Sequence, residues 1–436
     1  MGGAPARAPA ATSTLARCTH VRLEERVSTA VVRVAEPASR SGRWPVTVWA
    51  LLAGTFITRA GGFTYPYLAY HLADRGVGAS WASIVLALFG AGWLVGQVTF
   101  GSLADRMGRR TTLVTAMTAA AVVFPILAGA HALGALAAAA FVAGVVYDAP
   151  RPIVSAAIAD TIPDEPTRAK VAGWRHFAVN LGAACTGAVG GMLAEPVGIP
   201  VLLCINAAVC AAFAVVALCM LPPTRSKGQV PQGSYRAALT DVRLLLLWLA
   251  SVCALIPVAA LYSVLPQMMA DDHLPTSAYG WSQVAGAIAV LVLSPLMNPW
   301  LARRAAGPAP MVGLLAASAI LLGAGMGSAG LTSSPVGYAT AVVIAVPGEI
   351  AAFICAADVV NRIAPAHSRG LYAGIWGTTL AVAVLCAPLL AGWSLAAGGH
   401  PLVAVSLTGC GVLGAAACLP LAVLTHRLRE PTRPGP

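Results

Sequence analysis

Four ionisable residues lie deep inside long apolar segments of this chain: Arg59, Asp148, Arg151 and Glu349. A charged side chain is costly in hydrocarbon, so such a residue must face a partner or a water-filled cavity. Asp148 and Arg151 are three positions apart and would share one face of a helix. Side chains of this kind bind charged solutes and carry protons, so these four residues are candidates for a substrate and proton site.

The segment Asp148-Ala-Pro-Arg-Pro152 adds two prolines to the pair. Proline kinks a helix and frees backbone carbonyl groups, here beside the charges. Protonation of Asp148 would release Arg151 for another partner, which suits a proton-linked binding site. The alternative is a fixed ion pair that only holds two helices together. Arg59 has two interpretations, an ion pair with Asp148 or the binding of an anionic substrate group.

Glu349 has no basic residue within one helical turn. An unpaired carboxyl group among apolar residues is more stable with its proton than without it. Glu349 is therefore the best candidate for a proton carrier in the second part of the chain. The alternative is a neutral glutamic acid that forms a hydrogen bond across helices.

These residues need helices that hold them at mid-membrane depth. Of the 436 residues, 58% are hydrophobic and 10% are charged, which excludes an ordinary soluble globular protein. A spanning helix needs about 20 predominantly apolar residues, and the alternating pattern of a β-barrel is absent. The sequence predicts an all-α integral membrane protein with twelve transmembrane helices. The twelve windows are 47–70, 80–100, 112–131, 135–159, 173–194, 200–221, 244–267, 280–300, 310–329, 336–360, 372–394 and 400–424.

The distribution of basic residues predicts the orientation. With both termini in the cytoplasm, the inside segments hold 24 of the 27 Lys and Arg residues, and the outside connections keep only Arg75. This is the asymmetry of the positive-inside rule, so the net charge of +11 indicates topology. Nucleic acid is not an expected partner. Only Lys170 and Lys227 are lysine, a coding bias that indicates a bacterial cell (inner) membrane protein.

Two halves of similar length follow from the spacing of the windows. Residues 47–221 and 244–424 each hold six helices, and the polar segment 222–243 has the Pro and Gly content of a cytoplasmic linker. Residues 1–46 are expected to be a disordered cytoplasmic tail, or an over-extended gene start. Residues 425–436 are expected to be a cytoplasmic C-terminal tail.

Between the second and third windows lies a loop that resembles a motif of the major facilitator superfamily, whose pattern is roughly G-x-L-a-D-r-x-G-r-r. The resemblance implies two six-helix halves that work by alternating access. It also implies that the loop is a cytoplasmic gate that latches the halves, and Asp160, Asp358 and Arg362 could join this latch. The matching positions are Gly101, Leu103, Asp105, Arg106, Gly108, Arg109 and Arg110.

The fifth window resembles the glycine-rich antiporter motif of drug exporters, roughly g-x-x-x-G-P-x-x-G-G. Gly182 and the pair Gly190-Gly191 match, whereas Thr186-Gly187 stands where the motif has Gly-Pro. The alternative is that these small residues let helices pack closely in lipid. At the start of the same window, Arg175 is interpreted as a surface residue.

The resemblance predicts a proton-coupled antiporter that exports a small hydrophobic drug or secondary metabolite, as in multidrug resistance. An alternative is a proton-coupled importer of a sugar, amino acid or peptide. A third is a non-transporting membrane receptor on the same fold. No enzyme motif such as H-E-x-x-H, G-x-S-x-G or a P-loop occurs in the chain, so it is not expected to be an enzyme.

The expected partners are a small-molecule substrate, protons and the lipid bilayer. No cofactor or metal ion is expected, and the protein is expected to be a monomer. In the superfamily, helices one, four, seven and ten line the central cavity. Three of these four helices carry a charged residue at mid-membrane depth here, which supports the predicted site.

Overall fold

The computed structural model describes the transmembrane part of the chain. The predicted tail 1–46 lies almost wholly outside the described residues, as do residues 224–233 of the linker and most of the C-terminal tail. Val46 begins a compact unit that holds all the helices named below. The described residues are 1–3, 44–162, 164–223, 234–365 and 368–426.

Eleven helical segments of the described chain are long and apolar enough to cross a membrane. The last, Arg369–Thr425, has 57 residues, about the length of two spans. Gly399 interrupts it with φ 62° and ψ −156°, a backbone conformation that favours glycine. The described chain therefore has twelve spans, which confirms the predicted all-α fold.

We number the spans in chain order and give the helices of each. They are span 1 (Val46–Ala60, Thr64–Asp74), span 2 (Ala79–Met107), span 3 (Arg109–Gly129), span 4 (Leu133–Tyr147, Pro150–Thr161), span 5 (Glu165–Val197), span 6 (Ile199–Met220), span 7 (Val242–Ser263, Leu265–Asp271), span 8 (Thr276–Ala305), span 9 (Val312–Gly327), span 10 (Pro335–Ile363), span 11 (Arg369–Gly377, 379–398) and span 12 (400–426). A 3₁₀ turn, Ser328–Leu331, follows span 9, and a short helix, Tyr235–Thr240, lies in the predicted linker.

Spans 1 and 4 are each broken into two helices, and the breaks lie beside the candidate site. In span 4 the first helix ends at Tyr147 and the second begins at Pro150, which confirms the predicted kink. In span 1 the second helix begins at Thr64. The buried side chain of Asn206 in span 6 accepts hydrogen bonds there from the Thr64 amide (3.1 Å) and hydroxyl (2.7 Å). These bonds satisfy backbone and side-chain donors that the break would leave buried and unpaired.

Span 1 begins and span 12 ends on the same side of the bundle, which we call the terminal face; the other side is the opposite face. Tyrosine rings from the two halves meet toward the opposite face. The ring centroids of Tyr65 and Tyr262 are 5.7 Å apart, and those of Tyr67 and Tyr279 are also 5.7 Å apart. Tyr65, Tyr67 and Tyr279 are buried. This structure is therefore closed at the opposite face.

Spans 5 and 8 complete this closure by backbone contact. A Cβ atom added to Gly280 in span 8 would lie 2.5 Å from the Gly187 carbonyl oxygen and 2.9 Å from Gly191 Cα, both in span 5. No flexible side chain can move aside at this contact. The two helices approach as closely as they do because all three positions are glycine.

Gly280→Ala is expected to destabilise the state that is closed at the opposite face. Overpacking costs roughly 1–3 kcal/mol, so the population should shift several-fold toward the state that is open at this face. Distances between spin labels at the opposite-face ends of spans 5 and 8 would measure the shift. Gly134→Ala is the control, because a Cβ there meets no atom within 4 Å. Unchanged distances in Gly280→Ala would contradict the close packing of these two spans.

Candidate functional site

Three of the four predicted residues meet at the breaks of spans 1 and 4. Asp148 Oδ1 lies 2.6 Å from Arg59 Nη2, and Asp148 Oδ2 lies 2.8 Å from Arg151 Nε. The Trp93 indole of span 2 also donates to Asp148 Oδ2, at 3.2 Å. Asp148 is only 3% exposed, whereas the side chain of Arg151 is 38% exposed. The carboxylate therefore joins spans 1, 2 and 4 at a place that solvent reaches.

Arg175 of span 5, for which a surface role was expected, is half-exposed and lies beside this group. Its Nη1 donates to Ser155 Oγ at 2.7 Å and to the Arg151 carbonyl oxygen at 3.5 Å. Arg151, Asp148 and Arg59 all lie within electrostatic range of its guanidinium. The sequence carried no signal for this position, because it depends on how span 5 packs against span 4.

Glu349 lines a small cavity of about 50 Å³ formed mainly by spans 5, 7, 8 and 10. Within the described residues, its carboxyl group has no hydrogen bond or ion pair. Gln283 lines the same cavity, is 6% exposed, and its Nε2 is buried without a partner in the described chain. Leu261 and Met326 contribute to the apolar part of the wall. The cavity thus combines an unpaired acid, an unpaired amide donor and apolar surface.

Aromatic rings connect the cavity with the charged group around Asp148. Tyr262 lines the cavity, and its ring centroid is 5.7 Å from that of Tyr65. The Tyr65 ring is in turn 6.0 Å from that of Tyr147, which lies 5.9 Å from the Arg59 guanidinium carbon. Tyr262 is within electrostatic range of both Arg59 and Glu349. We call the region that holds these rings and the two charged places the central space; the cavity within it is lined by Glu349 and not by Arg59, Asp148 or Arg151.

A side-chain amide links the charged group to the second half. The amide of Gln97 in span 2 fits with its oxygen 3.0 Å from Trp93 Nε1 and its nitrogen 3.3 Å from the Gly377 carbonyl oxygen. Trp93 Nε1 thus lies between Asp148 and Gln97. Gly377 ends the first helix of span 11. The group around Asp148 is therefore connected to a helix break in the other half.

The predicted gate loop is an ion-pair cluster within the first half. Arg109 Nη1 lies 2.6 Å from Asp105 Oδ1, and its Nε lies 3.2 Å from Asp160 Oδ2 at the end of span 4. Gly108 joins span 2 directly to span 3 with φ 88°, which explains why the motif needs glycine there. Both partners of Arg109 belong to the first half in this state. Asp160, one of the residues expected near this rim, pairs with Arg109 here, and its role in a latch between the halves stays a prediction.

The other residues of the loop motif have fewer contacts. Arg106 and Arg110 form no hydrogen bond or ion pair with the described residues, and a Cβ added to Gly101 would meet no atom within 4 Å. Asp358 and Arg362 do not join this cluster. They pair with each other at 2.7 Å, and Arg362 donates to carbonyl groups of the connection between spans 8 and 9.

The glycines of span 5 lie at close helix contacts. A Cβ at Gly182 would be 2.6 Å from Arg59 Cβ, and one at Gly190 would overlap the Tyr67 ring. Gly187 and Gly191 contact span 8 across the two halves. Thr186, which departs from the exporter motif, donates a hydrogen bond to the Arg59 carbonyl oxygen. These contacts agree with the alternative that the small residues let helices pack closely.

Comparison with known proteins agrees with this architecture. The chain is similar to a mutant of the peptide transporter POT, with a TM-score of 0.74 and 14% identity over 90% of this chain and 97% of that one. A POT structure in complex with sulfate gives 0.74 and 15% identity over 89% and 96%. A mutant of the nucleoside transporter NupG gives 0.67 and 13% identity over 88% and 100%. At these identities the likeness shows the fold.

A family model covers most of the sequence and assigns the family. The model described as Major Facilitator Superfamily matches residues 50–385 and 247–436. The predicted family is therefore confirmed, together with its multi-pass architecture. The chain belongs to the major facilitator superfamily of membrane transporters.

Proposed function

We propose that this protein takes up a small polar solute together with protons, by alternating access in the bacterial cell (inner) membrane. The observation that carries the proposal is the unpaired carboxyl group of Glu349 in a central cavity. An unpaired acid in such a wall changes its proton occupancy when the cavity changes its access to water. The arginine-rich terminal face would lie in the cytoplasm, as the basic residues predict.

Uptake of a polar solute has more support than export of a hydrophobic drug. The expectation of export depended on a cavity with few charges and on the glycine motif of span 5. Arg175 adds a charge beside Asp148, and the glycines of span 5 have packing contacts. The similar solved structures carry the names of peptide and nucleoside transporters. We therefore favour the importer over the antiporter.

The proposed coupling of solute and proton movement depends on two places, the cavity with Glu349 and the group around Asp148. A proton on Glu349 removes the cost of a buried carboxylate and lets the cavity lose its water. Solute that binds near Asp148 changes the hydrogen bond that Trp93 donates to Asp148. Gln97 contacts both Trp93 and Gly377, so this change would reach the helix break of span 11. Occupation of both places would then favour the change between states, and each would bias the same equilibrium.

The proposal is tested by solute accumulation in proteoliposomes with an imposed proton gradient. Labelled amino acids and short peptides are offered with and without the gradient, and protein-free liposomes are the control. The proposal expects accumulation above equilibrium only when the gradient is present. A solute that binds but never accumulates would indicate the receptor alternative. Gradient-independent equilibration would contradict coupling to protons.

Asp105→Asn is expected to slow transport while solute affinity changes less than about twofold. The substitution weakens the Asp105–Arg109 ion pair at the terminal face, away from the central cavity. Transport rate and equilibrium binding, measured on the same preparation, separate the two effects. Glu195→Gln is the control, since it also changes a carboxylate to an amide at an exposed position. A collapse of affinity with a normal transport rate would remove the gate assignment.

A further inference from the structure

We infer that the solute carries a carboxylate, which binds between Arg151 and Arg175. The inference deepens the proposed function by naming the substrate class of the same site. It starts from a charge imbalance in the described structure. Three guanidinium groups, those of Arg59, Arg151 and Arg175, surround the single carboxylate of Asp148. This place therefore carries two positive charges in excess.

Asp148 cannot neutralise all three arginines. Its two oxygens are already occupied, one by Arg59 and the other by Arg151 and Trp93. Among the described residues, Arg175 donates only to neutral acceptors, the Ser155 hydroxyl and the Arg151 carbonyl. A guanidinium group that is partly removed from water is stabilised by a charged partner. An anion that binds at the exposed side of Arg151 would supply one.

The free donors of the two arginines suit a carboxylate. Arg151 approaches Asp148 through Nε, and its two terminal nitrogens have no hydrogen bond to the described residues. Arg175 uses Nη1 alone. A guanidinium binds a carboxylate through two parallel N–H groups, which gives geometry as well as attraction. The Arg151 side chain is 38% exposed, so its free donors are not sealed inside the protein.

The anion also determines how protons couple to transport. Tyr262 lies within electrostatic range of both Glu349 and Arg151. A carboxylate bound beside Arg151 would therefore repel a charged Glu349 across Tyr262. Binding of the anion therefore favours the protonated form of Glu349. The anion and the proton then occupy the central space together and move in the same direction, which is symport.

The experiment compares binding of free acids with binding of their primary amides. N-acetyl-alanine, alanyl-alanine and N-acetyl-alanyl-alanine are each paired with the C-terminal amide and titrated by calorimetry against the full chain in lipid nanodiscs. At least one acid should bind about tenfold or more tightly than its amide, because a hydrogen bond to a charged group stabilises by roughly 1.5–3 kcal/mol. Arg175→Gln should remove this preference by weakening acid binding much more than amide binding.

Two further variants make the result specific. Arg175→Lys keeps the charge but loses the planar fork, so it should retain only part of the preference. If Arg175→Gln fails to fold, the acid preference of Arg175→Lys tests the inference instead. Arg75→Gln is the matched control, because Arg75 bonds to the Ala128 carbonyl at the opposite face, outside the cluster. Its acid preference should equal that of the wild type.

The outcomes separate this inference from the proposed function. Equal binding of acids and amides, no binding of any acid, or a preference that survives in both Arg175 variants would overturn the inference. Proton movement driven by a neutral solute would then still support coupled transport. An Arg175-dependent preference without any proton movement would support the anion site and contradict proton-coupled transport.

Discussion

Replacing Glu349 with glutamine is expected to abolish proton-driven accumulation while exchange of solute down its own gradient continues. Glutamine keeps the shape and a neutral hydrogen-bonding head, but it cannot release a proton. The ratio of internal to external solute should therefore fall to about one when only the proton gradient is imposed. Uptake into proteoliposomes and counterflow exchange, measured on the same batch, give the two quantities.

The control for this variant is Glu195→Gln, which should accumulate solute like the wild type. Accumulation at the wild-type level in Glu349→Gln would contradict the assignment of the proton carrier. In that case the proton site would move to Asp148, the other carboxylate of the central space. Loss of both accumulation and exchange would instead show that Glu349 is needed for solute binding or folding.

Asp148→Asn is expected to cost roughly 3–5 kcal/mol of folding free energy, the usual effect of removing one partner of a buried ion pair. The substitution leaves Arg59 and Arg151 without a charged partner at mid-membrane depth. The exposure of Arg151 places the expected value at the lower end of this range. Unfolding of the detergent-solubilised protein by heat or denaturant measures the loss.

A double-mutant cycle separates the ion pair from the two single side chains. Asp148→Asn combined with Arg151→Gln should be less destabilised than the sum of the single variants, with a coupling of about 0.5–3 kcal/mol. Recovery stays partial because Arg59 still lacks its partner. Strictly additive losses of folding free energy would mean that Asp148 and Arg151 do not interact, which would contradict the ion pair between them.

The sequence predicted the spans well because lipid leaves few options for the backbone. Each of the twelve apolar windows corresponds to one span of the described chain. The prolines beside Asp148 predicted the break of span 4 for the same reason, since proline cannot continue the hydrogen-bond ladder. Pairing of Arg59 with Asp148 was one of two options that sequence left open, and the structure shows the pair.

The parts that sequence missed depend on tertiary packing. Arg175 lies near the start of an apolar window, next to His176. Surface residues commonly occur in such a position, so the sequence did not indicate a site there. Its position beside Arg151 follows only from the packing of span 5 against span 4. The contact between Gln97 and Gly377 joins residues of the two halves, and no local pattern marks either one. The sequence favoured export because the cavity seemed poor in charge, and uptake is the direction that we propose.

The gate loop shows a further limit of sequence analysis. Its motif predicts a latch between halves, whereas the partners of Arg109 in this state are Asp105 and Asp160 of the first half. A sequence motif indicates that a contact forms in some state of the protein, but it does not indicate in which state. The structure described here is closed at the opposite face, where Tyr67 meets Tyr279. A latch at the terminal face remains a prediction for the other state.

The sign of the internal pH change tests proton-coupled uptake most directly. Proteoliposomes that contain a pH-sensitive dye receive solute from outside, with no other gradient imposed. Symport acidifies the interior and antiport makes it alkaline, whichever way the protein is inserted. Protein-free liposomes and Glu349→Gln should give no signal beyond passive leak. Our account predicts solute-dependent acidification, and solute-dependent alkalinisation would contradict it and restore export as the function.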